Sequence, residues 1–501
     1  MEQVAEKEQQ EKWLQLERYL LAPSGDVRVL IARLESENIE EDIHEEHLAL
    51  LCKATDPRYL EALRISAVWA IGRAQSLSPL ARKRICELLL DASEPMRLAV
   101  AEVVLEKLRL PLAELEGPLL SALQSDQGAL RGRAAWALGA LRLTNPPVIR
   151  ALQQALSDQE GVVRLHAASA LVAMGRAALE SVGAQPLVHA LQDTHGFVRY
   201  HAARALGYLG KAATEAIPSI LRLMNDPEAR CRAAASEALG GIGCVETPVL
   251  DALEDALSDP DDQVRAAAAK ALGAFGEHAA KAVASLRASL RSGRKWVRMA
   301  AAEALGLMGQ AARPAVPELA EALSDETWGV WMAAADALHV LQPKIPEIWG
   351  WIEDRLHDED AHRRIAAVDI LGRLGLGETI VVQALTKALQ DTNEWVRRDA
   401  AFALGKLKEA SVPSVPTLIQ LLLHDGEWVQ SAAFDALVAL GREYVEGPLH
   451  HAIEHSPPSF RNKPTTALAL SILRRSWANT DLNDFFEDSH DDDIEQAFFS
   501  V

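Results

Sequence analysis

The chain of 501 residues is poor in aromatic residues, in cysteine and in positive charge. Phe, Trp and Tyr together make up only 5% of it, so alanine and leucine must supply most of the core, which suits closely packed helices. No apolar run reaches the length of about 18 residues that a transmembrane helix needs, and we therefore expect none. The charged N-terminus, MEQVAEKEQQEKW, lacks the apolar region of a secretory signal.

The four cysteines, Cys52, Cys86, Cys231 and Cys244, form no CxxC pair and show no metal-ligand spacing. We interpret them as structural thiols in a reducing compartment, and we expect a cytoplasmic protein. The formal net charge of -20 opposes the contacts with phosphates on which nucleic-acid binding depends. The charge therefore argues against nucleic acid and favours protein partners that carry a basic or amphipathic segment.

What the sequence does contain is a period. An Asp, a Val-Arg pair five and six residues later, then Ala-Ala and Leu recur about every 33 residues. The Asp position falls at Asp91, Asp126, Asp158, Asp193, Asp226, Asp259, Ser292, Asp325, Asp358, Asp391 and Asp425. This constant register predicts a stack of similar repeats rather than one globular core, and a stack presents a long surface that suits macromolecular partners.

Each repeat reads as two helices. In the repeat from Pro147 to Gly175, apolar residues recur at helical spacing on both sides of a polar turn at Asp158. Small residues such as Ala167 and Ala168 form a stripe on the second helix that allows a neighbouring helix to approach closely, and Gly175 is placed to end it. Nothing alternates with period two. The pattern predicts an all-α fold, a superhelix of about 12–13 helical hairpins.

The Asp–Val-Arg–Ala-Ala–Leu-Gly pattern resembles HEAT-like repeats of the phycobilisome-lyase type, most closely over residues 91–441. The resemblance implies a HEAT-like α-solenoid. We expect capping helices over residues 1–42, the solenoid over 43–441, a closing helix pair over 442–477 and an acidic tail with two Phe pairs over 478–501. Repeats of this type occur in scaffolds, in chaperones and in a few enzymes, so the resemblance alone does not decide the function.

The Asp and Arg of the pattern are predicted to form a structural ladder. The Asp can accept N–H groups at the start of the second helix, and the Arg six residues later can reach a turn Asp of the same or of the adjacent repeat. A basic binding stripe is the alternative. The predicted ladder residues are Asp158, Arg164, Asp193, Arg199, Asp259, Arg265, Asp391 and Arg397.

A second set of residues is predicted to bind a partner on the concave face of the solenoid. Three neighbouring repeats place an apolar residue directly after the Arg position and an acidic residue four positions further on. Tryptophans cluster at the start of second helices in the same half of the chain, and one of them replaces a ladder Arg. Packing between repeats is the alternative role. The predicted surface comprises Trp296, Met299, Glu303, Trp328, Trp331, Met332, Asp336, Ile365, Asp369, Trp395, Phe402 and Trp428.

Catalytic motifs are scarce. The sequence contains no GxSxG, no HExxH and no glycine-rich phosphate loop, and His44-Glu45-Glu46-His47, the one suggestive metal cluster, is interpreted as solvated polar surface. We therefore predict a non-catalytic scaffold, adaptor or assembly factor without a cofactor, which binds a basic and partly apolar protein segment. The alternative, which the family resemblance implies, is a phycobilin lyase-like protein or pigment chaperone that handles an open-chain tetrapyrrole (a bilin).

Overall fold

The computed structural model describes residues 45–72, 77–106, 113–341, 345–375 and 377–455. Over these ranges the chain consists of helices and connecting turns and contains no strand, which confirms the all-α prediction. The chain divides into two compact units, Met1–Ala271 and Leu272–Val501.

The first unit alternates between the first and the second helix of each repeat. Its first helices are α1 (Glu45–Ala54), α3 (Pro79–Leu89), α5 (Ala113–Leu123), α7 (Pro146–Ala155), the short pair α9 (Arg176–Val182) and α10 (Ala184–Ala190), α12 (Ile217–Leu223) and α14 (Thr247–Ala256). Its second helices are α2 (Glu61–Ile71), α4 (Glu94–Glu106), α6 (Gly128–Ala140), α8 (Gly161–Met174), α11 (Gly196–Leu209), α13 (Ala229–Ile242) and α15 (Asp262–Ala274), whose last three residues already belong to the second unit.

The second unit continues the same alternation. Its first helices are α16 (Val283–Ser289), α18 (Val316–Ala322), α20 (Ile345–Leu356), α22 (Thr379–Ala388), α24 (Val415–His424) and α26 (Arg442–Glu454). Its second helices are α17 (Lys295–Leu307), α19 (Trp328–Leu341), α21 (Ala361–Leu374), α23 (Glu394–Lys406) and α25 (Glu427–Leu440). Across the described ranges, first and second helices form twelve pairs, which agrees with the predicted number of repeats.

Local sequence explains where the helices begin and end. Several first helices carry a proline at their first or second position, where the missing N–H costs no helical hydrogen bond. Second helices stop at glycines with positive φ, for example Gly175 at 84° and Gly441 at 95°, a conformation that side chains with a Cβ rarely adopt. These stops are the glycines that the sequence pattern predicts.

The core lies where neighbouring repeats meet, and it consists mainly of alanine and leucine. On α8, for example, Ala167, Ala168 and Leu171 are fully buried. The glycine of the Leu-Gly pair lies inside the second helix and faces an alanine of the next repeat. A Cβ on Gly139 would lie only 2.5 Å from the Cα of Ala170, so the absence of a side chain sets how closely the helices approach. The equivalent glycines within second helices are Gly207, Gly240, Gly273, Gly306, Gly372 and Gly405.

The predicted ends of the chain are described only in small part. The expected capping helices at residues 1–42 and the acidic tail at 478–501 lie outside the described residues. In the segment 442–477, where a closing helix pair is expected, α26 is the first helix and the residues beyond 455 lie outside the described ranges. None of the described helices has the length and apolar character needed to cross a bilayer.

Candidate interaction surface

The Asp and Arg of the repeat pattern meet across the boundary between two repeats. Arg164 on α8 donates from Nη2 to Oδ1 of Asp193 at 2.9 Å and from Nη1 to the carbonyl oxygen of Asp158 at 2.8 Å. Asp158 in turn accepts from Nε and Nη2 of Arg131 at 2.7 and 2.8 Å and from the N–H of Glu160 at 2.9 Å. Each Arg therefore binds the carboxylate of the following repeat and only the carbonyl oxygen of its own Asp.

The same geometry recurs along the chain. Pairs join Arg64 to Asp91, Arg131 to Asp158, Arg164 to Asp193, Arg199 to Asp226, Arg232 to Asp259, Arg298 to Asp325, Arg364 to Asp391 and Arg397 to Asp425. The paired side chains are between 7% and 19% exposed. Because the guanidinium groups face carboxylates and carbonyl oxygens, this geometry favours a structural role over a basic binding stripe.

The ladder keeps its carboxylates charged. Hydrogen bonds from the Arg131 guanidinium lower the pKa of Asp158, and those from Arg232 lower the pKa of Asp259. Each Asp accepts a hydrogen bond from the N–H of the residue directly before the second helix. The Asp therefore orders the loop between the two helices, whereas the sequence predicted a bond to the first turn of the second helix. The ladder therefore connects repeats and shapes the turns at the same time.

Arg265 differs from the other ladder arginines. It donates from Nη1 to the carbonyl oxygens of Asp259 at 2.7 Å and Pro260 at 3.1 Å. The position at which the next carboxylate is expected holds Ser292, which carries no charge. Arg265 thus bonds to the turn Asp of its own repeat, one of the two partners that the sequence predicts, because the acceptor of the adjacent repeat is absent from the sequence.

The repeat that begins at Asp325 replaces its ladder Arg with Trp331. This side chain is half-buried and packs edge-to-face against Trp328, with the ring centroids 6.4 Å apart. The carboxylate that an Arg at this position would reach, Asp358, instead accepts from Nη1 of Arg363 at 3.1 Å. The pair of Trp328 and Trp331 therefore replaces one Arg–Asp pair of the ladder, and Arg363 of the following repeat provides the positive charge that Asp358 needs.

Four tryptophans occupy the first turn of second helices in the second unit, and we call them the tryptophan column. They are exposed to 59% at Trp296, 62% at Trp328, 41% at Trp395 and 54% at Trp428. His362, which is also exposed, holds the corresponding place on α21 between the second and third of them. A single exposed apolar residue is ordinary, but a row of exposed aromatic side chains on neighbouring helices is typical of an interaction surface.

The column already accepts cations from the chain itself. The Nζ of Lys295 lies 5.0 Å from the ring centroid of Trp296, and the Cζ of Arg398 lies 4.5 Å from that of Trp395. Both distances are within the range of cation–π attraction. Among the described residues no cation lies within this range of Trp428, which is 54% exposed.

Exposed carboxylates accompany the column. Each of them lies within two residues of a column tryptophan or of His362 and, like them, at the start of a second helix. They are Glu326, Asp360, Glu394 and Glu427. They were not predicted, because the acidic row expected from the sequence lies more than two helical turns further on, for example at Asp369, nine residues after Asp360. Aromatic faces next to carboxylates favour a ligand that carries cationic side chains.

The predicted apolar row is only partly accessible. Met299, Met332 and Ile365 lie on α17, α19 and α21 and are half-buried. The sulfur of Met299 lies 3.0 Å from the position of a Cβ on Gly329, so this methionine packs against the next repeat. Packing between repeats therefore takes up part of the surface that the sequence assigned to a partner.

The predicted acidic row is partly neutralised. Arg373 donates from Nε to Oδ2 of Asp369 at 2.8 Å and from Nη1 to Oδ1 of Asp336 at 3.3 Å, and so bridges two neighbouring second helices. Glu303 is exposed and makes no ion pair within the described part of the chain. Asp369 and Arg373 lie four residues apart on one helix, a spacing that favours an ion pair. This pairing was therefore visible in the sequence but was not predicted.

A pocket opens beside Phe402 between α21 and α23. It has a volume of about 370 Å³, and Phe402 is 42% exposed at its edge. Charged side chains of both signs surround an apolar floor. The lining residues are Asp369, Gly372, Arg398, Asp399, Phe402, Ala403 and Lys406.

No group of three or more His, Cys, Asp or Glu residues that could hold a metal occurs in the described ranges, and the side chains of the cluster at residues 44–47 lie outside them. Cys52 and Cys231 are buried, and burial raises the pKa of each thiol to about 11. Cys86 and Cys244 are half-buried, and none of the four is in a disulfide. The two buried thiols are thus protonated at neutral pH, as expected of structural cysteines.

Comparison with known proteins gives a consistent picture of the fold. A family model described as HEAT repeats matches residues 115–197, 184–265, 250–339 and 350–437, which is more than half of the chain. A search of curated proteins found no match.

Among solved structures, the chain is similar to Kap95p in a structure with RanGDP, at 16% identity and a TM-score of 0.50. It is also similar to Kap121p bound to Nup53p, at 15% identity and a TM-score of 0.50. Both similarities cover 93% of this chain, which spans 66% of Kap95p and 56% of Kap121p. At these identities the similarity concerns the fold alone.

Proposed function

Because this chain belongs to the family of HEAT-repeat proteins, we propose that it is a non-catalytic scaffold or adaptor that binds a basic, partly apolar protein segment along the second helices of its second unit. The tryptophan column is the observation that carries this proposal. Tryptophan combines a large apolar surface with a hydrogen-bond donor, and it is enriched among the residues that dominate binding energy at interfaces.

The spacing of the column suits an extended segment. Neighbouring packed helices lie about 8–10 Å apart, and an extended chain advances about 3.3–3.6 Å per residue. A partner that runs across the repeats therefore presents about every third residue to the next second helix. From Trp296 to Trp428 the column runs over five second helices, so a segment of about twelve residues would reach all of it.

Charge sets the chemistry of that segment. The exposed carboxylates Glu326, Asp360, Glu394 and Glu427 lie beside the column. Lysine or arginine side chains of a partner would stack on the indole faces and pair with these acids, as Lys295 and Arg398 of the chain already stack. The structures of Kap121p with Nup53p and of Kap95p with RanGDP, in which a similar fold holds a protein, are in keeping with a protein partner.

The experiment uses a labelled peptide of about twelve residues that alternates lysine and leucine, with the full-length protein and fluorescence anisotropy as the readout. We expect Trp395→Ala and Trp428→Ala each to weaken binding about tenfold, or about 1.4 kcal/mol, because each removes a large exposed contact. Trp351→Ala is the matched control, since Trp351 is 43% exposed but lies on the first helix α20. Equal effects of all three substitutions would refute the assignment of the column.

The predicted apolar and acidic rows are tested separately. The double variant Met332→Glu and Asp336→Lys changes one apolar and one acidic position, and it also places a cation next to Arg373. We expect it to abolish capture of the peptide while the helical circular dichroism signal is kept. Unchanged capture by this variant would restrict the site to the tryptophan column.

A bilin is the second candidate ligand. The finer resemblance, to HEAT-like repeats of the phycobilisome-lyase type, supports it, and so does the pocket beside Phe402, whose volume of about 370 Å³ falls in the range of small-molecule sites. Arg398 and Lys406 would face the carboxylates of the pigment. Addition of a bilin to the protein at micromolar concentration tests this candidate, because bound pigment shifts its absorbance whereas free pigment does not.

We further propose that the protein acts in the cytoplasm. The support is its cysteine chemistry: Cys52 and Cys231 are buried, unpaired and protonated, as in proteins of reducing compartments. Fractionation of the native cell, with a cytoplasmic marker for reference, tests this proposal.

A further inference from the structure

The first unit carries arginine or histidine side chains on four neighbouring second helices, α4, α6, α8 and α11. Three of them take the same place, two residues after the ladder Arg of their repeat. We call the five residues the cationic strip: Arg97, Arg133, His166, His201 and Arg204. The proposed function of the second unit does not involve them.

Arg97 stands at a ladder position but does not form a ladder rung. It lies six residues after Asp91 and donates from Nη1 to the carbonyl oxygens of Asp91 at 2.8 Å and Ala92 at 3.1 Å. Its guanidinium lies over the ring of Trp136 on α6, 5.2 Å from the centroid, whereas Asp126, the carboxylate of the next repeat, is exposed. Arg97 itself is only 9% exposed.

The strip holds buried polar atoms without partners. Within the described part of the chain, three buried side-chain nitrogens make no hydrogen bond, and all three belong to the strip: Nε of Arg97, Nε of Arg133 and Nδ1 of His201. A buried polar nitrogen that lacks a hydrogen-bond partner costs free energy, and native proteins rarely leave one unpaired. Three such nitrogens, on α4, α6 and α11, point to a ligand that supplies polar groups to the strip.

The surroundings of the strip are electropositive and aromatic. Burial and the charge of Arg97 lower the pKa of His166, and burial and the charge of Arg204 lower the pKa of His201 to about 4. Arg204 also donates to the hydroxyl of Tyr208 at 2.9 Å and lies over the ring of Tyr200. The strip therefore offers positive charge together with flat apolar surfaces.

Acidic residues lie only at the margins of the strip. Glu94 on α4 and Glu237 on α13 interact with Arg97 and with Arg204, and both carboxylates are exposed. Glu94 also interacts with His166. Two exposed carboxylates do not neutralise the three guanidinium groups of the strip, those of Arg97, Arg133 and Arg204.

We propose that the cationic strip binds an extended acidic protein segment, whose carboxylates accept hydrogen bonds from Arg97, Arg133 and His201 while its apolar side chains lie on Trp136 and Tyr200. Four helices about 8–10 Å apart give the strip a length of about 30 Å, which a small anion cannot cover and about nine extended residues can. The proposal is independent of the surface on the second unit, which favours a partner of opposite charge.

The test uses the full-length protein and a fluorescein-labelled peptide of about twelve residues that alternates glutamate and phenylalanine, at about 0.15 M salt. We expect Arg133→Gln and His201→Ala each to weaken binding at least tenfold, because each removes a donor that the carboxylates need. Arg222→Gln is the matched control, since Arg222 is exposed on α12 of the same unit, and it should change the affinity less than twofold. Thermal unfolding of each variant separates loss of binding from loss of the fold.

Further binding measurements identify the class of ligand. A peptide in which every glutamate is replaced by glutamine should bind at least tenfold more weakly, and Trp428→Ala in the second unit should leave binding of the acidic peptide unchanged. Inorganic phosphate that displaces the peptide at submillimolar concentration would overturn the proposal in favour of a small-anion site. A single-stranded oligonucleotide that binds more tightly than the peptide would overturn it as well, as would equal affinity of the Arg133→Gln and Arg222→Gln variants.

Discussion

At the scale of single residues, the ladder depends on the shape of arginine. Arg131 uses Nε and Nη2 for the carboxylate of Asp158 and keeps Nη1 for the carbonyl oxygens of Ser125 and Asp126. A planar fork with several donors can hold both groups at once, whereas a lysine ammonium would give up one of them. The arginine therefore fastens its own turn and the next repeat with one side chain.

Removal of one ladder carboxylate should destabilise the protein. We expect Asp158→Asn to lower the free energy of unfolding by about 2–3 kcal/mol, because the largely buried Arg131 loses its charged partner. Asp126→Asn is the control, since Asp126 occupies the same position of the preceding repeat but is exposed, and it should cost less than about 0.5 kcal/mol. Urea titrations followed by circular dichroism measure both, and equal shifts would contradict the role of the ladder.

At the scale of helices, the distance between neighbouring second helices depends on the glycine of the Leu-Gly pair. A Cβ on Gly139 would lie 2.5 Å from both the Cα and the Cβ of Ala170, closer than two carbon atoms can approach. Backbone atoms cannot rotate out of the way as the end of a long side chain can. The helices would have to separate, and the alanine and leucine core between them would lose contacts.

Two glycine-to-alanine substitutions in helices should therefore have opposite effects. We expect Gly139→Ala to destabilise the protein by about 1–3 kcal/mol through overpacking. Gly350→Ala on α20 should stabilise it by about 0.5–1 kcal/mol, because a Cβ there meets no atom within 4 Å and alanine is the better helix former. Thermal denaturation decides between them. If both substitutions are stabilising, the close approach of the helices does not limit packing.

At the scale of the whole molecule, the ladder links stability to pH. The hydrogen bonds from arginine lower the pKa of Asp158 and Asp259 in the folded state, and other ladder carboxylates shift in the same direction. A carboxylate with a lowered folded pKa contributes stability above its unfolded pKa of about 3.9 and loses this contribution as the pH falls through the folded value. Because the Arg–Asp pair recurs along the chain, these contributions to the free energy of unfolding add up.

The urea midpoint should therefore stay nearly constant above about pH 5 and fall steeply below about pH 4. Midpoints measured by circular dichroism in buffers of equal ionic strength test this expectation. The Asp158→Asn variant should show a smaller loss over the acid range, because one titrating carboxylate is gone. A midpoint that rises on acidification would show that repulsion among the surplus of acidic residues dominates instead.

Most of the fold could be predicted from the sequence because it depends on neighbours along the chain. Helical periodicity, prolines at the start of first helices and glycines such as Gly175 and Gly441 act within one repeat, and the period shows that the repeats are alike. The site could be predicted less well. The tryptophan column lies in the helix turns where its sequence positions place it, but the carboxylates beside it, such as Glu394 and Glu427, were not recognised.

By itself the sequence determined the all-α class, the repeat length, the helix ends and the candidate tryptophans, since each of these follows from local backbone preferences and from the period. Only the tertiary structure decided which contacts are made between repeats. It pairs Arg164 with the Asp of the next repeat, places Arg373 between Asp336 and Asp369, and turns Arg97 away from the ladder onto Trp136. The physical reason is that such pairings depend on how closely two helices approach and on which rotamers then fit, and neither can be read from spacing along the chain.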